Sequence, residues 1–225
     1  MRRILLVVEG ATERAFLEKL LGEQFAHRGL AVSARIVGKP GHKGGRLALD
    51  RVLDDIVRLL KQESQSIITT CFDYYGLPWE FANSVKPRPA HLAVVEIENE
   101  LARRVVGRIP STCNSKRFVP YIQLHELEAV FFADPDAVAG AFDQPGIADR
   151  LRRIVLECDG CETINDRFET KPSQRLQNLF PNYRKGASAQ AHAPLIADRM
   201  SLETARKKCP HFSEWLTKLE AFRTV

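Results

Sequence analysis

The first 124 residues switch repeatedly between two hydrophobic periods, and this switching constrains the fold more than any other feature. Ile4–Val8 is an unbroken apolar run, the pattern of a strand covered on both faces. Phe16, Leu17, Leu20, Leu21 and Phe25 then recur at helical spacing, with Thr12 placed to cap that helix and Gly29 to end it. Ala31–Val37 alternates as a strand, and Leu49, Val52, Leu53, Ile56, Leu59 and Leu60 trace a second amphipathic helix. Ile67–Phe72 reads as a third strand, His91–Val106 as a third helix and Phe118–Leu124 as a fourth strand. This order predicts an α/β fold, a parallel sheet of about four strands covered by helices. Beyond Pro135 only helical patterns recur, at Ile147–Leu156, Pro172–Phe180, Ala193–Met200 and Phe212–Phe222. The expected organisation is an α/β core over 1–134 and a helical extension over 135–225 packed on it. A length of 225 residues suits that arrangement better than two independent domains.

The apolar stretch after Arg2 and Arg3 runs only to Val8 before Glu9, shorter than the ~7–15 residues of a signal-peptide core. No run approaches the ~18 apolar residues of a membrane span. The five cysteines are an odd number without framework spacing, as expected of free thiols in a reducing compartment. A cytoplasmic chain with no membrane partner is therefore expected. Cys158-x-x-Cys161 is a metal-like pair, but a zinc site needs four ligands. Cys209 and His211 would complete one only if folding gathered them; inert thiols are the simpler reading.

The chemistry should lie where an open parallel sheet binds ligands, outside the carboxyl ends of its strands. Glu9 follows the first strand and Asp73 the third, while His125, Glu126 and Glu128 follow the fourth. His125 and Glu128, three apart, are expected on one helical face. Carboxylates gathered at one edge are hard oxygen ligands, suited to Mg²⁺ or Mn²⁺. The competing reading makes these residues helix caps and solvated charge, with Glu13 stabilised in a first helical turn by the helix dipole.

The net charge of +5 permits nucleic-acid binding where basic residues cluster. Lys39, His42, Lys43 and Arg46 lie in a glycine-rich segment, Gly38–Gly45 and the residue after it, that opens onto the same sheet edge. It lacks the Gly-Lys-Ser/Thr of a P-loop. It is either a phosphate-contacting loop or a plain connection. Tyr74, Tyr75 and Trp79 after Asp73 either stack unpaired bases or fill the gap between the sheet and the third helix. Lys171, Arg175, Tyr183, Arg184 and Lys185 form a basic and aromatic set suited to nucleic-acid backbone or partner contact.

The segment VVEGATE (Val7–Glu13) resembles the opening motif of Toprim domains, found in topoisomerases, primases and overcoming-lysogenization-defect (OLD) nucleases. In that fold the first strand delivers a glutamate, matched by Glu9, and the third an Asp-x-Asp motif, of which Asp73 matches the first member. Glu13 matches the second acidic position of the OLD-like branch, and Glu128 its acidic element after strand four. The second aspartate is absent, since Asp73 is followed by Tyr74-Tyr75. Over nearly the whole chain VEGATE, FDYYGLP, RFVPYIQLHELEAVFFAD, KPSQRL, PNYRK and CPHFSEWLTKLE resemble a bacterial family, DUF4276. The resemblance implies a divalent-metal-dependent phosphodiesterase, or nuclease, acting on DNA or RNA. Glu9, Asp73 and Glu128 would hold the cation, with Glu13 as ligand or water-orienting base and Lys39 or Lys43 stabilising the phosphate. It also implies an ABC/SMC-type ATPase partner and a role in phage defence. The alternatives are a non-catalytic or partner-gated subunit, and an enzyme on a small nucleotide.

Overall fold

Every residue from Ile4 to Val8 is buried, because the strand they form lies inside the sheet with helices on both faces. The computed structural model describes residues 1–38, 48–77, 89–165, 168–184 and 186–222. Strands β1 (Arg2–Val8), β2 (Leu30–Ile36), β3 (Ile67–Asp73) and β4 (Phe118–Val119) are parallel in the order β2-β1-β3-β4, and β5 (Ile122–Gln123) continues the line of β4 along β3. The expected α/β class and parallel sheet are therefore present.

The alternation of β1 divides the core in two. Ile4, Leu6 and Val8 point to one face, where they meet Phe16, Leu17, Leu20, Leu21 and Phe25 of α1 (Ala11–Ala26). Leu5 and Val7 point to the other, against α2 (Leu49–Gln62) and α3 (Ala90–Val106). Thr12 does not cap α1: extended Gly10 is the N-cap, and Thr12 lies inside the first turn, buried. Gly29, at φ 73°, makes the reversal into β2, a backbone region that glycine enters without a Cβ clash.

The fourth strand is two short pieces rather than one run, because Pro120 has no N–H for the ladder. Thr70 bridges the break with its side chain. Its hydroxyl donates to the Tyr121 carbonyl and accepts from the Tyr121 N–H, both at 2.9 Å. Just before β4, buried Arg117 donates to the carbonyls of Leu60, Glu63 and Ser66. It thereby satisfies acceptors that the C-terminus of α2 and the following turn would otherwise leave in the core.

The rest of the chain is helical: α4 (Glu128–Phe131), α5 (Pro135–Ala141), α6 (Ala148–Glu157), α7 (Pro172–Leu179), α8 (Ala187–Arg199), α9 (Leu202–Lys208) and α10 (Pro210–Glu220). Buried side chains of α5 and of α7 to α10 belong to the same hydrophobic cluster as β1 and α1. Trp215 of α10 reaches the sheet itself. Its indole N–H donates to Thr69 Oγ1 at 2.8 Å, and its ring stacks on Tyr121 at 4.3 Å. The C-terminal helices thus share with α1 the covering of one face of the sheet. No helix among the described residues is long and apolar enough to cross a membrane.

Candidate metal and phosphate site

Three adjacent strand ends are tied together by two hydrogen bonds made by acidic side chains. Glu9, the residue after β1, accepts the Asp73 N–H on Oε1 at 2.8 Å. Asp73, the last residue of β3, accepts the Leu127 N–H on Oδ1 at 2.8 Å, from the turn after β5. Asp73 is 5% exposed, so these bonds fix it at the middle of the carboxyl edge.

Two glycines let this arrangement form. A Cβ on Gly76, in the turn after Asp73, would sit 2.6 Å from Glu9 Oε2. A Cβ on Gly10 would sit 2.8 Å from Glu13 Oε2. The backbone therefore approaches both carboxylates more closely than any other residue type permits.

Electrostatics places the acids in one group. The Cys71 thiol is pushed well above its ordinary value, first by burial and then by the carboxylates of Asp73, Glu13 and Glu9. The Tyr183 phenol is likewise raised, by burial first and then by Glu128, Glu126 and Asp73. Asp73 acts on both reporters, so Glu9, Glu13, Asp73, Glu126 and Glu128 form one negative tract. Glu128, 2% exposed at the start of α4, accepts from the Tyr183 hydroxyl at 2.8 Å. Glu126, 3% exposed, accepts the Ser173 N–H at 3.0 Å, and Lys171 Nζ lies 3.6 Å from its other oxygen.

His125 is displaced from the position the spacing suggests. Its backbone is left-handed, φ 63°, and α4 begins only at Glu128, so the two residues do not share a helical face. The ring instead meets the Tyr75 hydroxyl through Nδ1 at 3.1 Å and the Glu162 carbonyl through Nε2 at 2.9 Å. Of the basic set, Lys171 stands at the acidic tract. Arg175 donates to the Thr170 carbonyl, and Arg184 is exposed. Lys39, His42, Lys43, Arg46, Lys185 and Trp79 lie outside the described residues.

Tyr183, expected in a basic and aromatic set suited to nucleic-acid or partner contact, is instead fully buried with its hydroxyl on Glu128. Gly76 and Ser173 are silent without the fold. The cysteines divide: Cys161 and Cys209 are free thiols buried in the same hydrophobic cluster. Cys158 instead approaches the Ile164 carbonyl, and His211 turns to Glu98.

The donor set is all hard oxygen, the chemistry that suits Mg²⁺ or Mn²⁺. Among the described residues no three acidic, His or Cys side chains stand ready as a closed ligand cage. Magnesium does not require one: it keeps several waters and takes one or two protein carboxylates together with substrate phosphate. Glu9 and Asp73, adjacent across β1 and β3, fit that requirement.

No curated protein and no solved structure matches the chain. A family model does match, over residues 8–220. Those residues run from the end of β1 through α10 and include every acidic residue of the tract, and the chain belongs to the family described as a domain of unknown function, DUF4276.

Proposed function

We propose that the protein is a divalent-cation-dependent, phosphodiester-processing protein that acts on DNA or RNA through the carboxyl edge of its sheet. The observation that carries this reading is the linkage Glu9–Asp73–Leu127, in which acidic residues at the ends of two adjacent parallel strands each fix the backbone of the next strand end through a carboxylate oxygen. Magnesium or manganese held there would supply a Lewis acid for the phosphate and lower the pKa of a bound water. The protein's own part is positional. Glu9 and Asp73 are fixed by backbone donors, Glu13 stands beside them over Gly10, and Lys171 brings a cation to Glu126. The resemblance to Toprim domains of OLD-type nucleases supports the same assignment, together with an ABC/SMC-type ATPase partner and a role in phage defence.

One observation favours a second reading, a subunit that binds nucleic acid or an ATPase and cleaves only when gated by its partner. The position two residues after Asp73, where the Toprim pattern carries a second aspartate, holds Tyr75. Incubation of plasmid and single-stranded DNA and RNA with Mn²⁺, using wild type and Asp73→Asn, separates the readings. Cleavage by wild type alone supports the enzyme. Cleavage that appears only when an ABC/SMC-type ATPase partner is added supports the gated subunit. No cleavage under either condition counts against phosphodiester processing.

A further inference from the structure

Beside the acidic tract the segments 73–75 and 125–127 enclose something else. A pocket of about 370 Å³ opens there, lined by Tyr74, Tyr75, His91 and His125 and by Glu162, Thr163 and Asn165. That size is at the small end of ligand pockets, which run ~300–1000 Å³. It suits one planar group, not a duplex.

The two tyrosines divide the alternatives that the sequence leaves open. Tyr74 is half-buried and packs on the α2–α3 side of the core, so it is the residue that fills the gap against α3. Tyr75 does not fill it, being 50% exposed. Its ring is nevertheless held in place. It stacks on His125 at 5.7 Å and 25°, its hydroxyl meets His125 Nδ1 at 3.1 Å, and its N–H reaches the His125 carbonyl at 3.4 Å. An exposed aromatic ring fixed by its polar tip presents a rigid face at little entropic cost. Aromatic faces of this kind hold unpaired bases with little sequence preference.

We propose that this pocket receives one unpaired nucleobase stacked on Tyr75, so that the adjoining phosphate reaches the Glu9–Asp73 edge. The inference deepens the phosphodiester-processing reading and names its substrate class as single-stranded nucleic acid. The chemistry explains why: Tyr75 directly follows Tyr74 and Asp73, and His125 precedes the Leu127 N–H that holds Asp73. Base and phosphate subsites are therefore built from the same two segments.

The test uses a labelled single-stranded oligothymidylate, a strand of equal length with abasic linkers, and thymidine monophosphate as competitor. Anisotropy is read in EDTA at fixed low salt on wild type, Tyr75→Ala and Tyr75→Phe, while Mn²⁺ binding is measured separately by calorimetry. The expected result is about tenfold tighter binding of the base-bearing strand, lost in Tyr75→Ala and kept in Tyr75→Phe. Competition by the monophosphate at the strand's own affinity supports the pocket with a free nucleotide as ligand; weaker competition supports it with a strand. Equal binding of both strands, unchanged binding by Tyr75→Ala, or no strand binding overturns the inference. Saturable Mn²⁺ binding would then leave the cation site standing, whereas base-dependent binding without Mn²⁺ binding would remove the cation site and keep this pocket.

Discussion

The backbone N–H of Asp73 donates to Oε1 of Glu9 at 2.8 Å, so the residue that ends one central strand is held by the side chain that follows its neighbour. Neither residue can move without the other. The proposed cation site is thus a property of the β1–β3 pairing itself, in which Val8 lies opposite Cys71. Gly76→Ala tests this geometry from the outside. Its Cβ would meet Glu9 Oε2 at 2.6 Å and Cδ at 3.0 Å, so the carboxylate must swing away and release the Asp73 N–H. The expected outcome is a modest stability loss of about 1 kcal/mol, a fall of roughly 2–4 °C in Tm, and clearly weaker Mn²⁺ affinity. Unchanged affinity would show that Glu9 is not a ligand.

Tyr183→Phe removes the hydroxyl that donates to Glu128 at 2.8 Å in a fully buried setting. Charge-assisted bonds of this kind contribute about 1.5–3 kcal/mol, and the loss should appear as a lower urea midpoint at unchanged m-value. Burial and the neighbouring carboxylates raise the Tyr183 phenol. Its absorbance should accordingly show no phenolate until the protein unfolds in alkali.

Arg117→Met offers a comparison far from the acids. The substitution keeps an apolar stem but removes the guanidinium that donates to the carbonyls of Leu60, Glu63 and Ser66. A loss of about 3 kcal/mol or more in chemical denaturation is expected, with Mn²⁺ affinity unaltered. A loss of affinity as well would tie the site to the α2 terminus.

A pH effect follows from the joint between α10 and the sheet. Burial pulls the His211 pKa down, but the Glu98 carboxylate at 2.9 Å more than offsets this and leaves it raised. Burial raises Glu162, which caps α10 by accepting the His211 and Phe212 N–H groups. Both groups bind their protons more tightly folded than unfolded, so each contributes stability at low pH that is lost as pH rises. Glu162's share is lost upward from its ordinary 4.5 through its raised value, and His211's upward from 6.5 through its own. Thermal melts across pH 4–9 should show this decline, and His211→Gln should flatten the part above pH 6.5. A slope unchanged by the substitution would contradict the assignment.

Much of this was legible from local pattern. The apolar run of β1, the helical spacing from Phe16 to Phe25 and the acids at strand ends are short-range signals, and a parallel sheet turns them into shared geometry. What escaped depends on pairings distant in sequence or on single backbone angles. Tyr183 meets Glu128 across 55 residues, and Ser173 meets Glu126 across 47. Spacing alone put His125 on a helical face with Glu128, but a left-handed φ turns it towards Tyr75 instead. The fourth strand looked continuous because its hydrophobic pattern ignores the missing N–H of Pro120; beyond that break the Thr70 hydroxyl pairs with the N–H and carbonyl of Tyr121.

The most direct test of the cation site is calorimetric titration of Mn²⁺ into wild type and Asp73→Asn. Asparagine retains an oxygen to accept the Leu127 N–H, so the turn stays anchored while the charge is lost. Saturable binding by wild type that is abolished or weakened at least about tenfold, or 1.4 kcal/mol, in the folded variant is the predicted result. No binding by wild type, or equal binding by both proteins, would contradict it and return Glu9 and Asp73 to the role of linking three strand ends.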